Sequence, residues 1–191
     1  GSNNTANGYR ALFANTTGAE NVAVGYLSLS ANTTAADNTA VGAQSLQVNT
    51  VGASNSAFGR YTLQNNTASN NTAVGRSALQ ENTTGAENVA VGADVLKNCT
   101  TGWVNTAIGH EALITLTTGT FNTAVGRRAG SNLTTGQYNT FIGSGTVTNV
   151  GNFGSGHYIT TGSKNTILGP YNGDQYGLDI RTSNNNIVLA D

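Results

Sequence analysis

The sequence predicts an all-β fold, a parallel β-solenoid of about ten 17-residue coils. Three observations predict it: a pentapeptide that recurs every 17 residues, a leucine at a fixed distance behind it, and a glycine turn that closes the unit. A period of 17 is too short for two packed helices, and glycine at two fixed places per unit disfavours any helix. Coils stacked about 4.8 Å apart would make a rod on the order of 48 Å long.

The pentapeptide is N-[T/V/S]-A-[V/F/I]-G, and it predicts one short strand per coil. Its copies, with Phe for Ala in the last, begin at Asn21, Asn38, Asn55, Asn71, Asn88, Asn105, Asn122 and Asn139, at 17-residue intervals except for one of 16. Weaker copies begin at Asn4, Asn165 and Asn186, the last two after 26 and 21 residues. We expect caps or transitions at these two ends.

A leucine follows each motif asparagine after eight residues, and a T-T-G turn or a variant of it closes the unit. The leucines are Leu12, Leu29, Leu46, Leu63, Leu79, Leu96 and Leu113, and Gly130 and Val147 replace them in later copies. The motif asparagine can bond backbone groups at a turn and, stacked coil on coil, can form an amide ladder. The motif glycine supplies a conformation that a β-carbon would penalise.

Side-chain alternation places the first and third strand residues on one face and the alanine on the other. We predict that the third-position column forms the core with the leucines: Val24, Val41, Phe58, Val74, Val91, Ile108, Val125, Ile142 and Leu168. The opposite column is uniformly small and is predicted to be a packing surface: Ala23, Ala40, Ala57, Ala73, Ala90, Ala107 and Ala124.

A single thin roll is expected to be marginally stable. Two large apolar side chains per coil contribute roughly 1.5–3 kcal/mol each, whereas ordering each residue costs about 1.5 kcal/mol. Packing of identical alanine faces around a symmetry axis would add burial, which predicts a cyclic homo-oligomer.

The composition excludes several function classes. Only 9% of the residues are charged, the net charge is −1, and the Lys and Arg residues are dispersed, so a nucleic-acid partner is not expected. No apolar run approaches the length of a membrane span, so no membrane insertion is expected. The only cysteine, Cys99, takes a repeat position where asparagine is common and is interpreted as a small filler.

Chemical motifs are sparse, and the sequence predicts neither an enzyme nor a cofactor. His110 and His157 have no Cys or carboxylate at metal-ligand spacing, so no metal site is predicted. Asp174, Asp179 and Asp191 are the only late carboxylates, and a catalytic pair would need convergent acids. No catalytic residue is therefore assigned.

Nine extra residues interrupt the period within residues 144–164. We divide the chain into a roll domain at 1–143, this irregular insertion at 144–164, and a final coil with a transition segment at 165–191. Insertions on solenoids often map to a binding face, and a simple transition between two regions is the alternative. The receptor-binding candidates are Phe153, His157 and Tyr158 in the insertion, and Trp103 and Tyr138 shortly before motif asparagines.

The repeated N-T-A-V-G motifs resemble the left-handed parallel β-roll of trimeric autotransporter adhesin heads over residues 1 to about 143. The 17-residue period and the T-T-G turns resemble more closely a version found in bacteriophage and prophage tail fibres. The stretch from Asn165 to Asp191 resembles the segment that precedes the self-cleaving intramolecular chaperone of such fibres and of endosialidase-type spikes. The resemblance implies a left-handed roll, intertwined or packed as a homotrimer, and a location on a virion tail fibre or a bacterial surface.

The expected function is that of a fibre segment for host attachment, with a cell-surface glycan or protein as partner. An ice-binding or other surface-adhesive solenoid is the alternative, because the T-T-G turns stack threonine rows that Ala35, Val51 and Ala68 interrupt. A fibre-borne glycan hydrolase would need an acid pair that the sequence does not reveal.

Overall fold

The computed structural model describes residues 1–144, 153–175 and 177–190, and in them the chain is an all-β solenoid without a helix. Eleven short strands stack in parallel in chain order. They are β1 (Thr5–Asn7), β2 (Val22–Val24), β3 (Thr39–Val41), β4 (Ser56–Phe58), β5 (Thr72–Val74), β6 (Val89–Val91), β7 (Thr106–Ile108), β8 (Thr123–Val125), β9 (Thr140–Ile142), β10 (Thr166–Leu168) and β13 (Ile187–Leu189). β11 (Asp174–Gln175) and β12 (Leu178–Asp179) form an antiparallel hairpin. The predicted parallel β-solenoid is confirmed.

Each strand of this sheet consists of the three residues after a motif asparagine, and equivalent residues pair across neighbouring coils. Ala40, for example, pairs with Ala23 on one side and Ala57 on the other. The single 16-residue spacing does not disturb the register, because Ala57 still pairs with Ala73. The coil with the 16-residue spacing is therefore one residue shorter outside its strand.

The orientation of the strands reverses the sequence prediction. The alanines from Ala23 to Ala124 are fully buried within the single chain, in the same core cluster as the leucines. The third-position residues point outward, with Phe58 42% and Ile108 41% exposed. The prediction of a valine column in the core and of an alanine column packing against other chains is therefore wrong. The roll is so thin that a leucine from the opposite wall leaves room for only a methyl group beneath the strand.

The leucine column forms the core as predicted, since Leu29, Leu46, Leu63, Leu79, Leu96 and Leu113 are all fully buried. Each leucine sits in the left-handed backbone region, for example at φ 49° in Leu46. The motif glycine before it also turns the chain with a positive φ. At Gly42 a β-carbon would lie 2.4 Å from the carbonyl oxygen of Gly59 in the next coil, so no other residue fits there.

From β9 onward the alanine column carries large residues, since Phe141 pairs with Ile167 and both are fully buried. Phe141 occupies the alanine column and is fully buried, while Gly130 and Gly156 stand in the leucine column. A β-carbon on Gly130 would lie 2.6 Å from Phe141 Cδ2, and one on Gly156 would lie 2.7 Å from Phe141 Cδ1. The phenyl ring thus fills the volume that leucine side chains fill elsewhere.

The motif asparagines form the predicted amide ladder along the buried corner of the roll. Asn38 donates its backbone N–H to Asn21 Oδ1 at 3.0 Å and its side-chain amide to the Gly52 carbonyl at 2.9 Å. The same pattern recurs through the later coils, as in Asn122 and Asn139. Each buried amide therefore ties three successive coils together.

The extra residues of the period fall between Gly143 and Ser155. In a regular coil the corresponding residues lie three apart, as in Gly25 and Ser28, so the interval of 12 contains nine additional residues. Gly130 donates its N–H to the Ser155 carbonyl and Thr134 to the Thr160 carbonyl, which returns the chain to the coil register. Gly156 thereby takes the leucine position. Val147, which was predicted there, lies outside the described residues.

Candidate functional site

The outer sheet face is a distinctive surface that follows the stacked strands of the solenoid. We define it as the first and third residues of the eleven parallel strands. Its third-position column is apolar from Val24 to Leu189, and Phe58, Val74, Ile108, Ile142, Leu168 and Leu189 are among the exposed large hydrophobic residues. The first position carries mainly threonine, with Val22, Val89 and Ile187 among its members. The third-position column of this face is therefore an apolar stripe that runs along the sheet.

Two of the predicted binding residues, Trp103 and Tyr138, lie two coils apart and are joined by Phe121. The Trp103 and Phe121 ring centroids are 4.8 Å apart at 65°, and the Phe121 and Tyr138 rings stack at 4.9 Å and 3°. Trp103 is 47% and Tyr138 52% exposed. We call these three residues the aromatic ladder. Sequence reasoning missed Phe121, although it stands directly before Asn122 as Tyr138 stands before Asn139.

The other three candidates, Phe153, His157 and Tyr158, form a separate compact cluster. The His157 ring lies 4.4 Å from Phe153 and 4.7 Å from Tyr158, centroid to centroid. His157 Nδ1 also lies 2.5 Å from the hydroxyl of the buried Ser131. Burial, and secondarily the charge of Arg128, lowers the pKa of His157 below its ordinary value. The side chains of this half-buried cluster thus bind one another and the coil beneath.

The charged side chains form local pairs on the surface. Arg76 pairs with Asp94, Arg128 Nε lies 2.5 Å from Glu111 Oε2, and Arg181 bridges the two late carboxylates. Arg181 contacts Asp179 at 2.7 Å and Asp174 at 3.5 Å. The hydrogen bonds from Arg181 lower the pKa of the exposed Asp179. Asp191, the third late acid, lies outside the described residues.

Neither a metal cluster nor a membrane helix occurs in the described part of the chain. Across residues 1–144, 153–175 and 177–190, no three His, Cys, Asp or Glu side chains converge in a way that could hold a metal ion. The same residues contain no helix long and apolar enough to cross a bilayer.

The threonine rows of the T-T-G turns are largely engaged within the chain. The first threonine of most turns donates its hydroxyl to the next coil, as Thr83 does to the Thr100 carbonyl at 2.9 Å and Thr134 to the Thr160 carbonyl at 3.0 Å. Only the second row, from Thr17 to Thr161, then presents hydroxyls outward, and Val51 and Ala68 interrupt it.

Comparison of the chain with known protein families, with curated proteins and with solved structures finds no match.

Proposed function

We propose that this chain is a structural fibre segment that assembles as a homotrimer through its outer sheet face and contributes to host attachment. The attachment partner is a cell-surface glycan or protein, and the fibre is of the bacteriophage tail type. No catalytic role is proposed. The observation that carries the proposal is the stripe of exposed and half-buried apolar residues along the sheet of a single chain.

The size of the outer sheet face supports a self-association role. A three-residue strand is about 10 Å long and ten intervals of 4.8 Å span about 48 Å, which gives roughly 480 Å² of projected area per chain. Three such faces meeting around one axis would cover roughly 1,440 Å² in all, which exceeds the roughly 1,000 Å² expected of a specific interface. A second copy is the natural occupant, because copies of this face repeat the same 4.8 Å spacing and match it coil for coil.

The composition of this face also favours contact with another protein surface over exposure to solvent. Val74, Ile108 and Ile142 lie on alternate strands and would gain burial on association. The threonines at the first strand positions are short enough to permit close approach. A rod of parallel coils closed in this way is stiff along its axis, as a fibre requires. The resemblance of the repeats and of residues 165–191 to tail fibres supports the same reading, with a location on a virion or a bacterial surface.

The ice-binding alternative receives less support. An ice-binding surface needs regularly spaced outward threonines, whereas one threonine row donates its hydroxyls to backbone carbonyls and the other is broken at Val51 and Ala68. We therefore retain the fibre proposal alone.

Charge placed on the outer sheet face tests the proposal. The variant Val74→Glu/Ile108→Glu puts two carboxylates on exposed positions of this face and is expected to sediment as a single chain while keeping its β-sheet circular dichroism. The matched control Val48→Glu/Val51→Glu changes two exposed valines outside the strands and is expected to remain trimeric. Equal masses for the two variants would refute an interface on this face.

A further inference from the structure

We propose that the aromatic ladder of Trp103, Phe121 and Tyr138 is a binding platform for a neutral oligosaccharide. This inference rests on the proposed attachment function and names the ligand class and the site for it.

Two of the three ladder residues, Phe121 and Tyr138, occupy positions that are unfavourable for their residue types. The residue directly before the motif asparagine has a left-handed backbone, at φ 54° in Val104, 56° in Phe121 and 57° in Tyr138. In the other coils this position holds Asn3, Glu20, Asp37, Ser54, Asn70, Glu87, Lys164 and Asn185. β-Branched and aromatic residues are disfavoured in this region. Three consecutive coils thus depart from an otherwise polar column.

Folding does not account for this departure. Tyr138 and Trp103 each expose about half of their surface, and none of the three ladder residues belongs to the buried core. Trp103 stands in a column that carries the small residues Ala86 one coil earlier and Thr120 one coil later. Backbone strain and exposed apolar surface that add no contact to the core indicate a function at the surface.

The surroundings of the ladder fit a saccharide. A sugar ring combines an apolar face of C–H groups, which stacks on an aromatic ring, with hydroxyls that need polar partners. Exposed Glu87 and Lys164 occupy the ladder's column at its two ends, and exposed Gln137 precedes Tyr138. Such mixed and nearly neutral surroundings do not favour nucleic acid, which requires a clustered basic face.

The spacing and openness of the ladder favour a chain ligand over a single sugar. Its ring centroids lie 4.8 and 4.9 Å apart across three coils. Because these rings pack on one another, an extended oligosaccharide would lie across the solvent-exposed side of the ladder, where Trp103 and Tyr138 are about half exposed. The cluster of Phe153, His157 and Tyr158 lacks this openness, since its three side chains are half-buried and His157 Nδ1 contacts the buried Ser131.

The chain offers a direct reporter, because Trp103 is its only tryptophan. We would titrate the protein with linear gluco-, galacto-, manno- and N-acetylglucosamine hexasaccharides and follow Trp103 emission, with calorimetry for affinity. At least one of these probes is expected to shift the emission and bind. The double variant Phe121→Asn/Tyr138→Asn introduces the residue that Asn70 and Asn185 already provide in this column, and it should weaken that affinity by roughly tenfold or more.

The matched control is Tyr26→Ala, which removes another exposed stacked ring, 5.5 Å from Tyr9, at a position where alanine occurs naturally as Ala43 and Ala93. It should bind like the unmodified chain. Failure of every hexasaccharide to bind, equal loss in the control, or unchanged binding in the double variant would overturn the inference. So would a change in assembly mass of the double variant, which would make the ladder a subunit contact. A trimer without saccharide binding defeats this inference alone, whereas saccharide binding by a monomer defeats only the assembly proposal.

Discussion

At the scale of single residues, the second asparagine column shows how a buried polar row can end. It runs through Asn15, Asn32, Asn49, Asn66 and Asn82, and continues as Cys99, Leu116, Leu133 and Ile159. Each amide can donate to the oxygen of the asparagine one coil earlier, as Asn82 does to Asn66 at 2.6 Å. Asn82 Oδ1 has no such donor after it, and it is the one buried side-chain polar atom without a partner in the described part of the chain. Cys99 is thus the junction between a polar and an apolar row.

The unpaired Asn82 Oδ1 predicts that the same asparagine-to-leucine substitution has different effects on stability at two positions. Asn82→Leu removes it, and Asn66 Oδ1 keeps Asn71 Nδ2 as a donor at 3.3 Å. Asn49→Leu instead leaves Asn32 Oδ1 without its donor. Because a buried unsatisfied group costs about 1–3 kcal/mol, Asn49→Leu should be less stable than Asn82→Leu by that amount. Guanidinium unfolding of both variants measures the difference, and equal stabilities would contradict the assignment.

Burial also controls the reactivity of Cys99. The side chain is fully buried, and desolvation raises the pKa of the thiol to about 12, although a backbone hydrogen bond with Gly102 acts in the opposite direction. The thiolate is the reactive form, so the folded protein should resist iodoacetamide at pH 8 and react once unfolded in guanidinium. Rapid labelling of the native protein would show that this position is open. The interpretation of Cys99 as a filler accords with its buried contacts.

At the scale of the coil, the sequence predicts the strands but not their orientation. The period and the N-T-A-V-G motif locate every parallel strand, because regular alternation and recurrent glycines are local signals. Alternation separates two faces without saying which is inward. Hydrophobicity favours valine for the core, yet the wall-to-wall distance admits only alanine opposite leucine. The uniformity of the alanine column, set against Val, Phe, Ile and Leu in the outward column, is the available signal of that constraint.

The large residue Phe141 in the alanine column provides the test at this scale. Phe141→Ala should cost about 3–5 kcal/mol because it leaves a cavity between the two glycines. Gly130→Leu should also destabilise, since its side chain would overlap the phenyl ring. In the double variant the leucine at position 130 occupies part of the volume that the phenyl ring leaves, while Gly156 is unchanged. Its loss should therefore be smaller than the sum of the two single losses by more than about 1 kcal/mol. Additive losses, measured by thermal unfolding, would show that the residues do not share one volume.

At the scale of the whole molecule, the candidate surfaces depend on contacts between coils that lie 17 residues apart in sequence. Trp103 and Tyr138 stand out in the sequence as rare aromatic residues, but their connection through Phe121 emerges only when the coils stack. The location of the outer sheet face follows from strand orientation, which local patterns leave open. Function is therefore predicted less completely than fold, because it depends on which columns the stacking turns outward.

The solution mass of the unmodified chain, measured by multi-angle light scattering over a range of concentrations, tests the central claim most directly. The account predicts a mass of three chains that persists on dilution, because the apolar stripe from Val24 to Leu189 is covered only by other copies. A mass of one chain at every concentration would contradict it and would mean that this face is stable in water without a partner.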